Sequence, residues 1–205
     1  MKARLRKEMK AALAAMSPGD ASVKSAAACG RFLALPEYHC ARVILLYLPI
    51  PQEVDTAAIA LDAWQHEKRV LAPRMDWDRR HMEAVQIRSL DDELTGGRFG
   101  IRQPRDGQPC PVDQIDLVVV PALAFDPRGG RLGRGAGFYD RFLSHRDLRA
   151  VACGLAFDEQ VIEDLPRHAH DRPVSILVTD RRVLRFDPEY LHARVRASGQ
   201  EEQDK

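Results

Sequence analysis

The chain has 205 residues, 45% of them apolar and 30% charged, which is the composition of a globular protein able to bury a core without metal or disulfide staples. Its 31 Lys and Arg against 30 Asp and Glu leave a formal net charge of +1 and argue against a general nucleic-acid binder. The length fits one domain, expected over residues 1–195, followed by a polar tail at 196–205.

Residues 2–15 read as a helix, with Leu5, Met9, Leu13 and Met16 at helical spacing beside a basic face of Lys2, Arg4, Arg6, Lys7 and Lys10. The apolar stretch behind those charges is too short for a signal peptide. Ser17, Pro18 and Asp20 form a capping start for a second helix that runs to Leu33 and stops before Pro36. Residues 42–48 are a nearly continuous apolar run, the mark of a strand covered on both faces. A loop with Pro49 and Pro51 leads to a helix at 55–66 and a short strand at 69–72 that ends at Pro73. A strand at 81–87 is followed by a short helix starting near Ser89 and a Gly- and Pro-rich loop at 96–111. Residues 116–120 are the clearest buried strand. A long loop at 122–137 then feeds a helix at 138–145, a strand at 150–156, a short helix at 158–165 and a last strand at 174–179. Alternating helices and apolar strands imply an α/β fold: three α/β/α layers around a mostly parallel, Rossmann-like sheet.

Cys29, Cys40, Cys110 and Cys153 form no CxxC pair and have no His at finger spacing, so reduced thiols and a cytoplasmic location are expected. The longest apolar stretch, 117–125, is broken by Pro121, and nothing is long enough to span a membrane.

The chemistry concentrates at residues 116–142. Gly129, Gly130, Gly133, Gly135 and Gly137 are interleaved with Arg128, Arg131 and Arg134 between the buried strand and a helix. Glycines let successive backbone N–H groups turn toward one guest, and arginines with no intervening acid complete an anion site suited to polyphosphate; the alternative is a flexible surface loop whose arginines only solvate it. The run lacks the GK[ST] ending of a Walker A loop and the GxGxxG order of a dinucleotide fingerprint. Asp140 reads either as a Mg²⁺ ligand beside bound phosphates or as a first-turn acid favoured by the helix dipole. The basic first helix reads as a second cationic patch or as a solvated face. Glu53, in the loop after the 42–48 strand, reads as a partner for a polar heterocycle or as an ordinary loop acid.

These motifs resemble the 5-formyltetrahydrofolate cyclo-ligase family over residues 2–183. The most specific segment is VPALAFDPRGGRLGRGAGFYDRFL at 120–143, supported in order by KARLR, YLPIPQEVDT, KRVLAPRM, GIRQP and HDRPVSILVTD. The resemblance implies an ATP- and Mg²⁺-dependent ring closure giving 5,10-methenyltetrahydrofolate, ADP and phosphate. It implies ATP contacts from Lys2, Ala3, Arg4, Leu5 and Arg6, and from Arg131, Leu132, Gly133, Arg134, Gly135, Ala136, Gly137, Phe138 and Tyr139. It implies folate contacts from Arg6, Leu48, Glu53, Arg134, Gly135, Ala136, Gly137 and Phe138, catalytic roles for Arg134 and Tyr139, and Mg²⁺ ligation by Asp140 and Asp171. The implied partners are a reduced folate and ATP acting on a monomer, with neither nucleic acid nor membrane. The chain departs from the family's frequent Tyr-Tyr pair with Phe138-Tyr139, and carries Ser175 where the family places an acid. A related ATP-using enzyme acting on another formyl or amide substrate, or a nucleotide- or folate-binding protein without turnover, remain alternative readings of the same residues.

Overall fold

The computed structural model describes residues 1–90, 94–96 and 100–186. The expected tail at 196–205 and the domain boundary at 195 lie outside the described residues.

Seven strands form the main sheet. In chain order they are β1 (Val43–Leu45), β2 (Arg69–Asp76), β3 (His81–Ile87), β6 (Leu117–Val120), β9 (Val151–Ala156), β10 (Ile176–Thr179) and β11 (Val183–Arg185), and in space they run β11-β10-β9-β6-β1-β2-β3. The five central strands are parallel, and the edge strands β3 and β11 are antiparallel to their neighbours. Parallel strands buried on both faces need apolar side chains on both, which explains the unbroken runs in the sequence.

The alternation of side chains divides the core in two. Ile44, Val70, Leu117, Val119, Cys153 and Val178 share a cluster with Leu13, Phe32, Ile59 and Ala63 of the helices α1 (Lys2–Ala14), α2 (Pro18–Leu33) and α4 (Ala57–Gln65). Leu45, Leu71, Val118, Val120, Ala152 and Leu177 face the other way, with Phe138, Tyr139 and Phe142 of helix α5 (Phe138–Leu143). Helices therefore cover both faces of a mostly parallel sheet, as the sequence indicated.

Several elements differ from expectation, each for a local reason. The first strand is shorter than 42–48, because after Leu45 the buried chain leaves the β6 ladder and turns toward Glu53, keeping one bond from Leu46 N to the Leu71 carbonyl (2.9 Å). Strand β2 passes through Pro73 instead of ending there. Its pairing with β1 stops at Leu71, so the missing proline N–H is not required on that side, and β3 continues the pairing to Asp76. Helix α2 ends at Leu33, before Pro36 as expected, but an unanticipated short helix α3 (Pro36–Cys40) then begins at that proline. The expected helix at 158–165 is one 3-10 turn, Asp158–Gln160, fixed by the Gln160 amide, which accepts from Phe157 N (2.8 Å) and donates to the Ala122 carbonyl (2.7 Å). Inside the expected 96–111 loop, β5 (Arg102–Pro104) pairs with β4 (Leu94–Gly96). The 122–137 loop holds a small hairpin of β7 (Ala124–Phe125) and β8 (Arg131–Leu132). The helix expected near Ser89 runs into residues 91–93, outside the described residues.

Candidate active site

In an open α/β sheet, ligands lie beyond the carboxyl ends of the strands. Here those ends gather the loop after β1, the turn between β2 and β3, the residues after β6 and the β8–α5 connection. The start of α1 and residues 168–171 close the rest, around one cavity of about 790 Å³.

Three ion pairs organise its wall. Lys2 Nζ donates to Asp171 Oδ2 at 2.6 Å, tying the start of α1 to the late segment, and the His168 amide donates to the same oxygen at 2.7 Å. Burial pushes the Asp171 carboxyl up, but Lys2 and the His168 amide outweigh it and hold the group below the usual carboxylate range. Arg131 Nη2 donates to Asp140 Oδ1 at 2.6 Å, and the Arg172 amide reaches the same oxygen at 3.0 Å. The Arg131 side chain is only 3% exposed, so burial lowers its affinity for a proton while Asp140 works against that. An arginine keeps its charge in such a setting. Arg134 donates through Nε and Nη2 to Glu53 Oε1 at 3.1 and 2.9 Å, and Ile50 N donates to Glu53 Oε2 at 3.2 Å. Burial raises the Glu53 carboxyl above its usual range, and Arg134 pulls it back in part.

Tyr139 completes the wall. Its ring is almost fully buried, and its hydroxyl has no hydrogen-bond partner among the described residues. Burial and the nearby Glu53 push the phenol well above its ordinary range, so it is a neutral donor. A buried hydroxyl without a partner loses about 1–3 kcal/mol relative to a satisfied one, a cost that falls here on a residue of the cavity wall.

The β8–α5 connection supplies the backbone. Gly135 has φ +110° and Gly137 φ +68°, both in the region that favours glycine, and Gly137 caps α5 in a left-handed conformation. A side chain at Gly135 would point toward the Arg6 guanidinium, 3.6 Å away, whose Nε donates to the Gly133 carbonyl at 2.9 Å.

Every residue from Arg131 to Asp140 lines the cavity, with Lys2, Arg6, Leu48, Glu53 and Asp171. Lys2 and Arg6 lie one turn apart on the inward face of α1. Ala3, Arg4 and Leu5 do not line the cavity: Arg4 is exposed and bonded to Glu8 at 2.7 Å, and Leu5 packs on the core. The Gly–Arg run also divides. Arg128 points away from the cavity to Asp164 and Asp126, and Gly129 and Gly130 form the hairpin turn around the buried Asp126 carboxylate, which accepts from Arg128 N and Gly130 N and pairs with Arg167. Of the three arginines expected to form an anion site, Arg131 and Arg134 line the cavity and Arg128 does not, and Lys2 and Arg6 join them from α1.

Sequence reading missed Tyr47, Ile50, Met75, Trp77, Arg80, Arg141 and His168 on the wall. Trp77 and Arg80 sit on the β2–β3 turn, far from the glycine loop in sequence, and no local pattern distinguishes them from surface residues.

A sequence model of the 5-formyltetrahydrofolate cyclo-ligase family matches residues 1–180. The 5-formyltetrahydrofolate cyclo-ligase of Mus musculus is 31% identical over 181 residues, covering 83% of this chain and 89% of that protein. The enzyme of the same name from Escherichia coli is 29% identical over 176 residues, covering 82% and 94%. The solved structure of Aquifex aeolicus 5,10-methenyltetrahydrofolate synthetase superposes with a TM-score of 0.78 at 33% identity, covering 90% of this chain and 92% of that one. With the match spanning six of the seven strands of the main sheet and all the cavity-lining loops, the chain belongs to the 5-formyltetrahydrofolate cyclo-ligase family.

Proposed function

We propose that this protein closes 5-formyltetrahydrofolate to 5,10-methenyltetrahydrofolate at the expense of ATP, releasing ADP and phosphate. The observation that carries the reading is the convergence, in one cavity, of four cationic side chains (Lys2, Arg6, Arg131 and Arg134), the carboxylates Asp140 and Asp171, and the unpartnered Tyr139 hydroxyl.

The formyl oxygen attacks the γ-phosphorus of ATP and ADP departs. The folate N10 then adds to the activated formyl carbon and loses its proton, and the C–O bond breaks with phosphate as the leaving group, which carries that proton away as hydrogen phosphate. An amide oxygen is a poor leaving group and phosphate a good one, so activation is what the nucleotide supplies. The protein's part is to position the groups and neutralise developing negative charge. Lys2, Arg6 and Arg131 face the phosphates. Arg134 and Tyr139 stand between the phosphate end and Glu53, where they donate to the formyl oxygen and the transferring phosphoryl group. Glu53, held as a carboxylate by Arg134, accepts from the N–H groups of the pterin.

The two carboxylates suit Mg²⁺. Asp140 uses Oδ1 and Asp171 uses Oδ2 for protein donors. Among the described residues no group of three or more His, Cys, Asp or Glu gathers for a metal. Mg²⁺ commonly takes one or two carboxylates, water and substrate phosphate oxygens. Asp140 and Asp171 would hold the ion, which when bound supplies charge neutralisation on the phosphates.

Action as a monomer belongs to the same proposal, and the oligomeric state in solution tests it. The four cysteines are free, three of them buried, which supports a reducing, cytoplasmic setting. Among the described residues no helix is long and apolar enough to cross a membrane.

Purified protein given 5-formyltetrahydrofolate, ATP and Mg²⁺ is expected to develop methenyl absorbance and release ADP in equal amounts. ATP binding without either product would refute the reading, and ADP release with a different formyl compound would replace it with a related activity.

A further inference from the structure

The cavity carries more positive charge than its own carboxylates balance. Lys2 pairs with Asp171, Arg131 with Asp140, and Arg134 with Glu53. Arg6, Arg80 and Arg141 also line the wall, and none of the three has a carboxylate partner among the described residues. Arg6 belongs to the phosphate end through Gly133. Arg80 and Arg141 form a separate group. Arg141 Nε donates to the Arg80 carbonyl at 2.6 Å and Nη2 to the Ala136 carbonyl at 2.7 Å, so the two residues are joined through backbone rather than through an acid.

Their neighbours are aromatic. The Arg141 guanidinium lies 5.6 Å from the Phe138 ring centroid, and Trp77 meets the same ring edge-on at 4.8 Å. Successive residues of a helix point about 100° apart. Asp140 therefore turns toward Arg131 and Arg172, while Arg141 turns toward Arg80 and Ala136. The cavity thus has three distinct regions: a phosphate end at Lys2 and Arg131, a polar-ring end at Glu53, and an aromatic edge lined by Arg80 and Arg141, which have no carboxylate partner among the described residues. Arg80 also holds φ +52°, uncommon for a residue with a side chain, at the turn that brings it to the wall.

We infer that Arg80 and Arg141 form a carboxylate-binding subsite that holds the glutamyl tail of the folate, with Trp77 and Phe138 flanking the aminobenzoyl ring that precedes it. This rests on the folate reading above. A reduced folate carries its charge on the tail carboxylates, and guanidiniums lacking a protein acid beside an aromatic wall match an arene followed by carboxylate. The subsite sets affinity for the intact folate and takes no part in the transfer of the phosphoryl group.

The test compares binding of 5-formyltetrahydrofolate with that of 5-formyltetrahydropteroate, which has the same ring system without the glutamate, by calorimetry in the absence of ATP. The wild-type protein is expected to prefer the folate about tenfold or more. Arg80→Asn removes the charge yet tolerates the left-handed turn, and is expected to bring that ratio close to one. Arg80→Lys restores part of the preference. Arg141→Gln lowers the ratio likewise, its fold checked by a thermal melt. A wild-type ratio near one, a ratio unchanged in both charge-removing variants, a loss confined to ATP affinity, or binding of neither compound overturns the proposal. A preserved binding preference without methenyl product defeats the proposed reaction and leaves the tail subsite standing. Equal turnover and equal binding of both compounds does the reverse.

Discussion

Tyr139 and Glu53 are largely buried polar side chains whose behaviour is set by the few groups they meet on the cavity wall. The Tyr139 hydroxyl is buried without a partner, so removing it relieves an unsatisfied group. Tyr139→Phe is expected to leave the melting temperature of the unliganded protein unchanged or raise it, by no more than about 1 kcal/mol of stability, while turnover falls about tenfold or more. A thermal melt and a kcat measurement on the same preparation check both halves. Glu53 is poised by opposing effects, burial raising its pKa and Arg134 lowering it. Arg134→Ala removes the opposing effect, so Glu53 becomes harder to ionise and its carboxylate forms only at higher pH. Turnover is expected to drop by about a hundredfold or more, and the acidic limb of the activity profile to move to higher pH. A limb that stays in place would separate Glu53 from the pH dependence.

Among the elements, the first two helices behave as their sequences dictate. Ser17 accepts from Asp20 N at 3.0 Å and Pro18 starts α2. Ser17→Ala is expected to cost about 1 kcal/mol, read as a lower denaturant midpoint with the slope unchanged, without altering KM. Helix α1 shows the limit of reading an element alone. Its basic residues are evident, but only the docking of Met9 and Leu13 into the core decides that Lys2 and Arg6 face the cavity while Arg4 faces water. The glycine-rich run divides in the same way. Its first two glycines and Arg128 build the hairpin turn at Asp126, and the remainder lines the cavity. The paired strands β4 and β5 escaped notice because each is three residues long, and a hydrophobic period cannot be read over so short a span.

At the scale of the whole molecule, the buried Asp126 ties the β7–β8 hairpin to the segment that presents Asp171. Arg167 bonds its two oxygens, with the closer contacts at 2.5 and 2.7 Å. Burial would raise the Asp126 pKa, but Arg167 and the amides of Arg128 and Gly130 outweigh it, so the folded value lies below the unfolded one. The stability it contributes is full above the unfolded pKa of about 3.9 and is lost as pH falls through the lower, folded value. Asp126→Asn is accordingly expected to destabilise the protein by about 3 kcal/mol at neutral pH. The difference from wild type should shrink once the pH falls below about 4, as denaturation at several pH values will show. The formal charge of +1 takes on meaning at this scale too. Acids and bases nearly cancel over the chain, yet Arg6, Arg80 and Arg141 line one cavity with no carboxylate partner among the described residues.

Much of this was legible before folding was considered. Apolar runs such as 116–120 and 174–179 point to strands of a parallel sheet covered on both faces, and the motifs at 120–143 carry a family resemblance dense enough to single out residues 131–140, all of which line the cavity. Tertiary structure decided the rest. Which arginines face the cavity, which acid each one meets, and that the β2–β3 turn forms its aromatic edge all depend on contacts between residues far apart in the chain. Lys2 with Asp171 and Arg134 with Glu53 are separated by 169 and 81 positions. Local propensity sets the direction of a backbone, but the partner of a buried charge is set by desolvation and packing, which exist only once the chain has closed on itself.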